Sequence, residues 1–302
     1  MIQYSLKQLA YFAAAAERRS VTKAAAALNV SQPSVSTAIA HLERVLGTQL
    51  FLRHHAQGLS PTPAGRRLFL EARSLLAHAE ELGSGFEREG GALRGELQLG
   101  YFVTLAPYYL PGLLREFVAR NPEVAVRLHE GDMEGLRQAL ALGTLDLALL
   151  YDLALGPDVA AEPVAALKPY ALLPKGHALA ARQRVTLRAL AREPFILLDL
   201  PHSREYFRAV FLTEGLEPVV RYATPSLEMV RGLVASGHGI ALLNIRPAGD
   251  RAYDGTQLAC RALVEETPPL RIVIARSLAA RPTRATEALI AAAKDYFLRR
   301  VR

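Results

Sequence analysis

Across its 302 residues the chain holds a single cysteine, Cys260. An internal disulfide framework is thereby excluded, and an isolated thiol argues against a zinc site and fits a reducing compartment. No stretch of about 18 uninterrupted apolar residues occurs, so no membrane-spanning helix is expected. The opening MIQYSLKQLAYF lacks the charged segment, apolar run and cleavage site of a secretory leader, which makes the cytoplasm the expected address. Catalytic signatures are missing too: there is no Gly-x-Ser-x-Gly, phosphate loop, metal-ligand spacing or dinucleotide fingerprint. Asp199, His202 and Ser203 supply the residue types of a nucleophilic triad, but triad members normally come from separate elements, not from one five-residue segment. Neither an enzyme nor a resident cofactor or metal is expected.

Acid is scarce at the N-terminus. Residues 1–62 carry six Lys/Arg against only Glu17 and Glu43, so more than half of the formal charge of +7 lies in a fifth of the length. That concentration suits a polyanionic partner. Residues 63–90, by contrast, balance four Arg against five Glu. With 51% hydrophobic and 22% charged residues the chain has the composition of a globular protein, and its length calls for at least two domains.

Leu6, Leu9, Ala10, Phe12, Ala13 and Ala16 recur at helical spacing and predict a first helix. Ser20 and Thr22 offer caps for a second over Lys23 to Leu28, which Asn29 ends; Ser31 caps a third, with Pro33 in its first turn. In this third helix Val35, Ile39 and Leu42 face inward, leaving Gln32, Ser34, Ser36, Thr37 and His41 as a polar outer face. Gln49 to Arg53 and Gly58 to Pro61 read as a small hairpin with basic residues near its tip, a wing. Beyond Thr62 and Pro63, the residues Leu68, Ala72, Leu75, Ala79, Leu82 and Phe86 alternate spacings of four and three. They form an apolar seam that either packs on its own domain or pairs with a second subunit, and pairing is the favoured reading. Gly83, Gly85, Gly90 and Gly91 place a domain boundary near residue 90.

From Leu93 short apolar runs alternate with amphipathic ones, the pattern of an α/β domain with parallel strands. Candidate strands are Leu97 to Phe102, Val124 to His129 and Leu145 to Leu150, then Tyr170 to Pro174, Phe195 to Leu198, Val219 to Tyr222 and Ile240 to Leu243. Two α/β lobes follow. By periodicity the strand Arg271 to Ala275 and the last helix, Thr283 to Arg300, could belong to either.

The run SVTKAAAALNVSQPSVSTAIAHLERVLGTQLFLR (Ser20 to Arg53) followed by LSPTPAG (Leu59 to Gly65) resembles the LysR-type transcriptional regulators, and the likeness continues more loosely along the chain. The resemblance implies a winged helix-turn-helix over 1–62 and a dimerising linker helix over 63–90. It further implies a regulatory domain over 91–302 of two lobes folded like type II periplasmic binding proteins. Lobe I is set at about 91–165 and 268–302, lobe II at about 166–267. It also implies promoter DNA and a small-molecule effector as partners, a homotetrameric assembly and contact with RNA polymerase. Two positions depart from the family pattern. Thr37 stands where relatives often carry Arg, and Gly131-Asp132 where they often carry Asn or Thr.

A major groove admits a helix, and the amide of Gln32 can read adenine in bidentate fashion; Pro33 can meet a thymine methyl. Ser34, Ser36, Thr37 and His41 are further groove contacts or simply the solvated face. Arg53, Arg66 and Arg67 suit phosphate or a narrow minor groove, contributing affinity without sequence choice. In two-lobed folds the ligand sits where strand C-termini and helix N-termini converge. The candidates after the first two strands are Phe102, Val103 and Thr104, then Asp132 and Met133. After the strand at 195 come Pro201, His202, Ser203 and Tyr206, and Asn244 follows the strand at 240. Thr104 and Ser203 could instead be helix caps, and Asp132 a cap of its own helix. As a ligand contact, Asp132 would repel a carboxylate and favour N–H donors. A periplasmic solute-binding protein would share the lobes but not residues 1–90.

Overall fold

A computed structural model describes residues 2–54, 58–85 and 92–300. Helix α1 (Leu6–Arg18) starts at a capping box, in which Ser5 Oγ accepts from Gln8 N while Gln8 Oε1 accepts from Ser5 N at 2.9 Å. Helices α2 (Val21–Ala27) and α3 (Gln32–Leu46) are capped by Ser20 and Ser31, and Asn29 turns the chain between them in the left-handed region, φ 53°. Phe12, Ala15, Ala24, Val35, Ile39 and Leu42 close the core of this trihelical unit. Leu6, at the first turn of α1, stays exposed. The wing is the hairpin of β1 (Phe51–His54) and β2 (Gly58–Pro61), and helix α4 (Pro63–Gly85) leaves from it.

Glu43 Oε1 accepts from Leu50 N at 2.8 Å, tying the end of α3 to the wing, and Thr62 Oγ1 donates to the Gln49 carbonyl at 2.7 Å. A Cβ on Gly65 would stand 2.1 Å from the Leu50 carbonyl oxygen, so only glycine lets α4 start this close to the wing.

The regulatory domain runs through β3 (Gly95–Phe102), α5 (Ala106–Arg120), β4 (Val124–Gly131), α6 (Met133–Ala141), β5 (Leu147–Tyr151) and β6 (Val159–Leu167). A second lobe holds β7 (Tyr170–Pro174), β8 (Arg184–Val185), α7 (Leu187–Leu190), β9 (Phe195–Leu198), α8 (Ser203–Leu212), β10 (Val220–Thr224), α9 (Leu227–Ala235), β11 (Ala241–Leu243) and β12 (Leu258–Leu263). The chain then returns through β13 (Leu270–Ser277) and α10 (Arg284–Arg300). Lobe I is a sheet of order β4-β3-β5-β13-β6, and lobe II pairs a β11-β7-β12-β8 sheet with the two strands β10-β9. An isolated bridge from Phe195 to Ile240 joins the last two. The sheets are mixed, not parallel throughout: β4, β3 and β5 run parallel, but β13 is antiparallel to β5 and β6, and β7 to β11 and β12. Strand pairing puts β13 in lobe I, which periodicity left open.

Helix α4 also leans on lobe I. The Arg73 guanidinium donates to the Gly143 carbonyl and pairs with Asp146 at 3.0 Å, Ser74 Oγ donates to the Arg281 carbonyl at 3.4 Å, and Arg284 N donates to Glu81 Oε1 at 2.7 Å.

Candidate DNA interface and effector cleft

Gln32, Pro33, Ser34 and Thr37 are exposed on the first turns of α3, and Ser36 is half-buried. The positive end of the α3 dipole lies beside them. His41 departs from the groove reading. It is half-buried, and its Nδ1 lies 3.3 Å from Gln8 Nε2, so the ring is held against α1. Arg66 and Arg67 are exposed at the start of α4, with Arg66 Nη1 on the Pro61 carbonyl at 3.0 Å; the backbone of Arg53 lies in β1.

The seam along α4 divides. Ala72 is buried and Leu68 packs beside it in the core of the N-terminal domain, because α4 lies across α1 there. Those two are therefore not available to a second subunit. Leu75 and Leu82 are 48% and 67% exposed, and Ala79 lies half-buried between them. Phe86 lies outside the described residues.

Between the lobes a cavity of about 350 Å³ is lined by Val103, Thr104, Pro107 and Tyr108 of lobe I and by Pro225, Ser226, Leu227, Glu228 and Tyr253 of lobe II. Its elements follow the rule for such folds: the loop after β3 leads into α5, and the loop after β10 into α9, whose N-cap Ser226 Oγ accepts from Met229 N. Two hydrogen bonds cross the cleft. Tyr108 Oη donates to Glu228 Oε1 at 3.2 Å, and Tyr151 Oη to Asn244 Oδ1 at 3.4 Å. Burial and the Glu228 carboxylate push the Tyr108 hydroxyl up to about 12; burial pushes Tyr151 higher still, against the opposing pull of Thr104 and Asn244. Glu228 in turn lies 3.3 Å from Nε of Arg231, a guanidinium only 2% exposed.

Of the cleft residues read from the sequence, Val103 and Thr104 reach this cavity. Phe102 and Met133 do not, for they are buried in lobe I, Phe102 with its ring 5.4 Å from that of Tyr151. Asp132 is exposed and caps α6, its Oδ1 accepting from Gly135 N at 2.7 Å. Ser203 is buried in the first turn of α8 and is not its cap; that position falls to His202, at φ 65° with no side-chain cap bond. Pro201 is exposed beside it, and Tyr206 Oη donates to the Pro268 carbonyl, tying α8 to the crossover between lobes. Asn244 Nδ2 is buried without a hydrogen-bond partner. Sequence reasoning missed Tyr108, Ser226, Glu228 and Tyr253. Ser226 was legible as a cap, whereas Tyr253 sits in an irregular stretch that no periodicity places. Among the described residues no acidic, His or Cys cluster could hold a metal, and no helix is long and apolar enough to cross a membrane.

Residues 6–66 match the family model of the bacterial regulatory helix-turn-helix protein, lysR family, and residues 90–298 that of the LysR substrate binding domain. The chain belongs to the LysR family. This LysR-family regulator is 33% identical over 295 residues to a probable hydrogen peroxide-inducible genes activator of Streptomyces viridosporus, covering 97% of this chain and 94% of the relative. Among solved structures it is similar to HinK, a LysR family transcriptional regulator from Pseudomonas aeruginosa, at 37% identity and TM-score 0.66 over 97% and 98% of the two chains. A full-length OxyR variant from the same organism shares 26% identity at TM-score 0.77, over 97% and 98%. The protein is thus a DNA-binding transcriptional regulator with a second, effector-binding domain.

Proposed function

We propose that the regulator reads one base pair with Gln32, places Pro33, Ser34 and Thr37 along the groove, and holds phosphates with Arg66, Arg67 and Arg53. With Thr37 in place of the arginine frequent in the family, one forked donor is gone, and the contact there is weaker and less selective for guanine. It assembles as a homodimer through Leu75, Ala79 and Leu82 and further as a homotetramer, works in the cytoplasm without catalysis or cofactor, and acts on RNA polymerase.

The effector occupies the 350 Å³ cavity beside Thr104, and this cavity is the observation that carries the reading. Its acid, Glu228, is already held by Tyr108 and Arg231, so the cavity prefers a mainly apolar ligand whose N–H donors meet the remaining lone pairs of that carboxylate. Asp132 is spent on its own helix. Effector binding is non-covalent. Peroxide sensing by an internal disulfide needs two thiols, and this chain has one, buried, with its pKa pushed up to about 11 by burial and by Asp250.

The test is thermal unfolding of the full chain against a metabolite library, since a ligand at about 100 times its Kd adds roughly 2.7 kcal/mol. Protection that is lost in Thr104→Val and Glu228→Gln supports the cavity. A hit that protects both variants as well as the parent would place the effector elsewhere.

A further inference from the structure

A second cavity, of about 70 Å³, lies at the joint where α4 meets lobe I, away from the cleft. Three arginines from three elements line it: Arg73 of α4, Arg276 of β13 and Arg281 of the segment leading into α10. Two acids line it as well. Asp146 is already engaged twice, by Arg73 at 3.0 Å and by Gln98 N at 2.7 Å. Glu96 turns to Gln98 Nε2 at 2.5 Å and to Arg127 Nε at 3.2 Å. Arg276 and Arg281 have no carboxylate within ion-pair reach among the described residues; Arg276 donates only to the neighbouring Ser277 carbonyl at 3.2 Å. The wall also carries hydroxyls at the start of the 17-residue helix α10, including Thr286, which is buried with its Oγ1 3.0 Å from that of Thr283.

We propose that this joint binds a small oxyanion of the phosphate type as a second input, independent of the effector cleft. Forked guanidinium donors match the oxygens of such an ion. The volume suits a single small anion rather than a nucleotide or sugar phosphate. Because the walls come from α4 and from lobe I, an ion held there ties the helix that leaves the DNA-binding domain to the lobe that forms one side of the cleft. Its occupancy therefore stabilises the docked arrangement of the two, and the coupling is reciprocal: docking raises anion affinity as the anion favours docking.

The experiment titrates the full chain with inorganic phosphate, against sodium chloride at matched ionic strength, by thermal unfolding and by isothermal titration. The parent should show a saturable upward shift in Tm with phosphate and none with chloride. Arg276→Gln and Arg281→Gln should each weaken phosphate binding at least tenfold, while Arg208→Gln, on the exposed face of α8, leaves it unchanged. Should Arg276→Gln fail to fold, the exposed Arg281 decides alone. A shift that never saturates, one that chloride reproduces, or equal phosphate affinity in parent and Arg281→Gln overturns the proposal.

Discussion

Arg73 Nη2 lies 3.0 Å from Asp146 Oδ1, and the other end of the same guanidinium holds the Gly143 carbonyl, so one side chain of α4 grips the loop that feeds the central strand β5. Asp146 continues the contact into β3, since its Oδ2 accepts from Gln98 N at 2.7 Å and its own N donates to the Gln98 carbonyl at 2.9 Å. Burial, which Arg73 and the Gln98 amide only partly offset, raises the Asp146 pKa above the ordinary carboxylate value.

Arg73→Ala leaves that carboxylate with the Gln98 amide alone and should cost about 1–3 kcal/mol, read as a Tm lower by several degrees. The sign of the pH effect follows from the raised pKa. The folded state binds the Asp146 proton more readily than the unfolded chain, so this group's contribution falls as pH rises from the ordinary carboxylate range through the raised value. Arg73→Ala should steepen that fall and Asp146→Asn should abolish it. Unfolding followed from pH 4 to 7 checks both, and parallel profiles in all three proteins would refute the assignment.

On DNA, Gln32→Ala should lose about 1–3 kcal/mol of discrimination at one base pair. Arg66→Gln should weaken binding evenly across sequences and flatten the slope of log affinity against log salt by roughly one. Fluorescence anisotropy with a promoter fragment and its single-base variants separates the two. Sequence-independent loss in Gln32→Ala would remove it from base reading.

Gly65→Ala forces a Cβ against the Leu50 carbonyl, where backbone meets backbone and no side chain can yield. A loss on the order of 1–3 kcal/mol is expected, confined to the N-terminal domain. Hydrogen exchange should show faster opening in α4 and the wing with β5 and β13 unchanged. Unaltered exchange in the wing would show that α4 can shift without cost.

The N-terminal domain was legible almost entirely, because caps such as Ser20 and Ser31 and the inward residues Val35, Ile39 and Leu42 are local signals that tertiary packing reinforced. In the regulatory half the strands with continuous apolar runs were legible, while β6 and β12 were not. Pro163 and Glu162 interrupt the first and Arg261 the second, and both are strands only because β13 and β7 pair with them. The cleft was half legible. Helix starts mark its rim, but nothing local to Glu228 announces that Tyr108, 120 residues earlier, donates to it. The seam of α4 misled in part, since periodicity reveals an apolar face and not what covers it.

Cys260 donates to Asp250 Oδ1 at 3.4 Å from within the lobe II sheet, and burial together with the Asp250 carboxylate pushes its thiol pKa up, which keeps it in the unreactive thiol form. Hydrogen peroxide at concentrations that oxidise exposed thiols should therefore leave promoter binding unchanged, and Cys260→Ser should behave as the parent. Loss or gain of binding on peroxide treatment, absent from Cys260→Ser, would contradict non-covalent control.

The most direct test of the whole account is promoter affinity measured with and without the effector found by thermal unfolding, in the parent chain and in Thr104→Val. The account predicts a change of roughly 5- to 150-fold in the parent, the span of about 1–3 kcal/mol of coupling. It also predicts that Thr104→Val binds DNA normally and no longer responds. A ligand that stabilises the protein yet leaves DNA affinity untouched, or moves both proteins equally, would contradict control through the cleft.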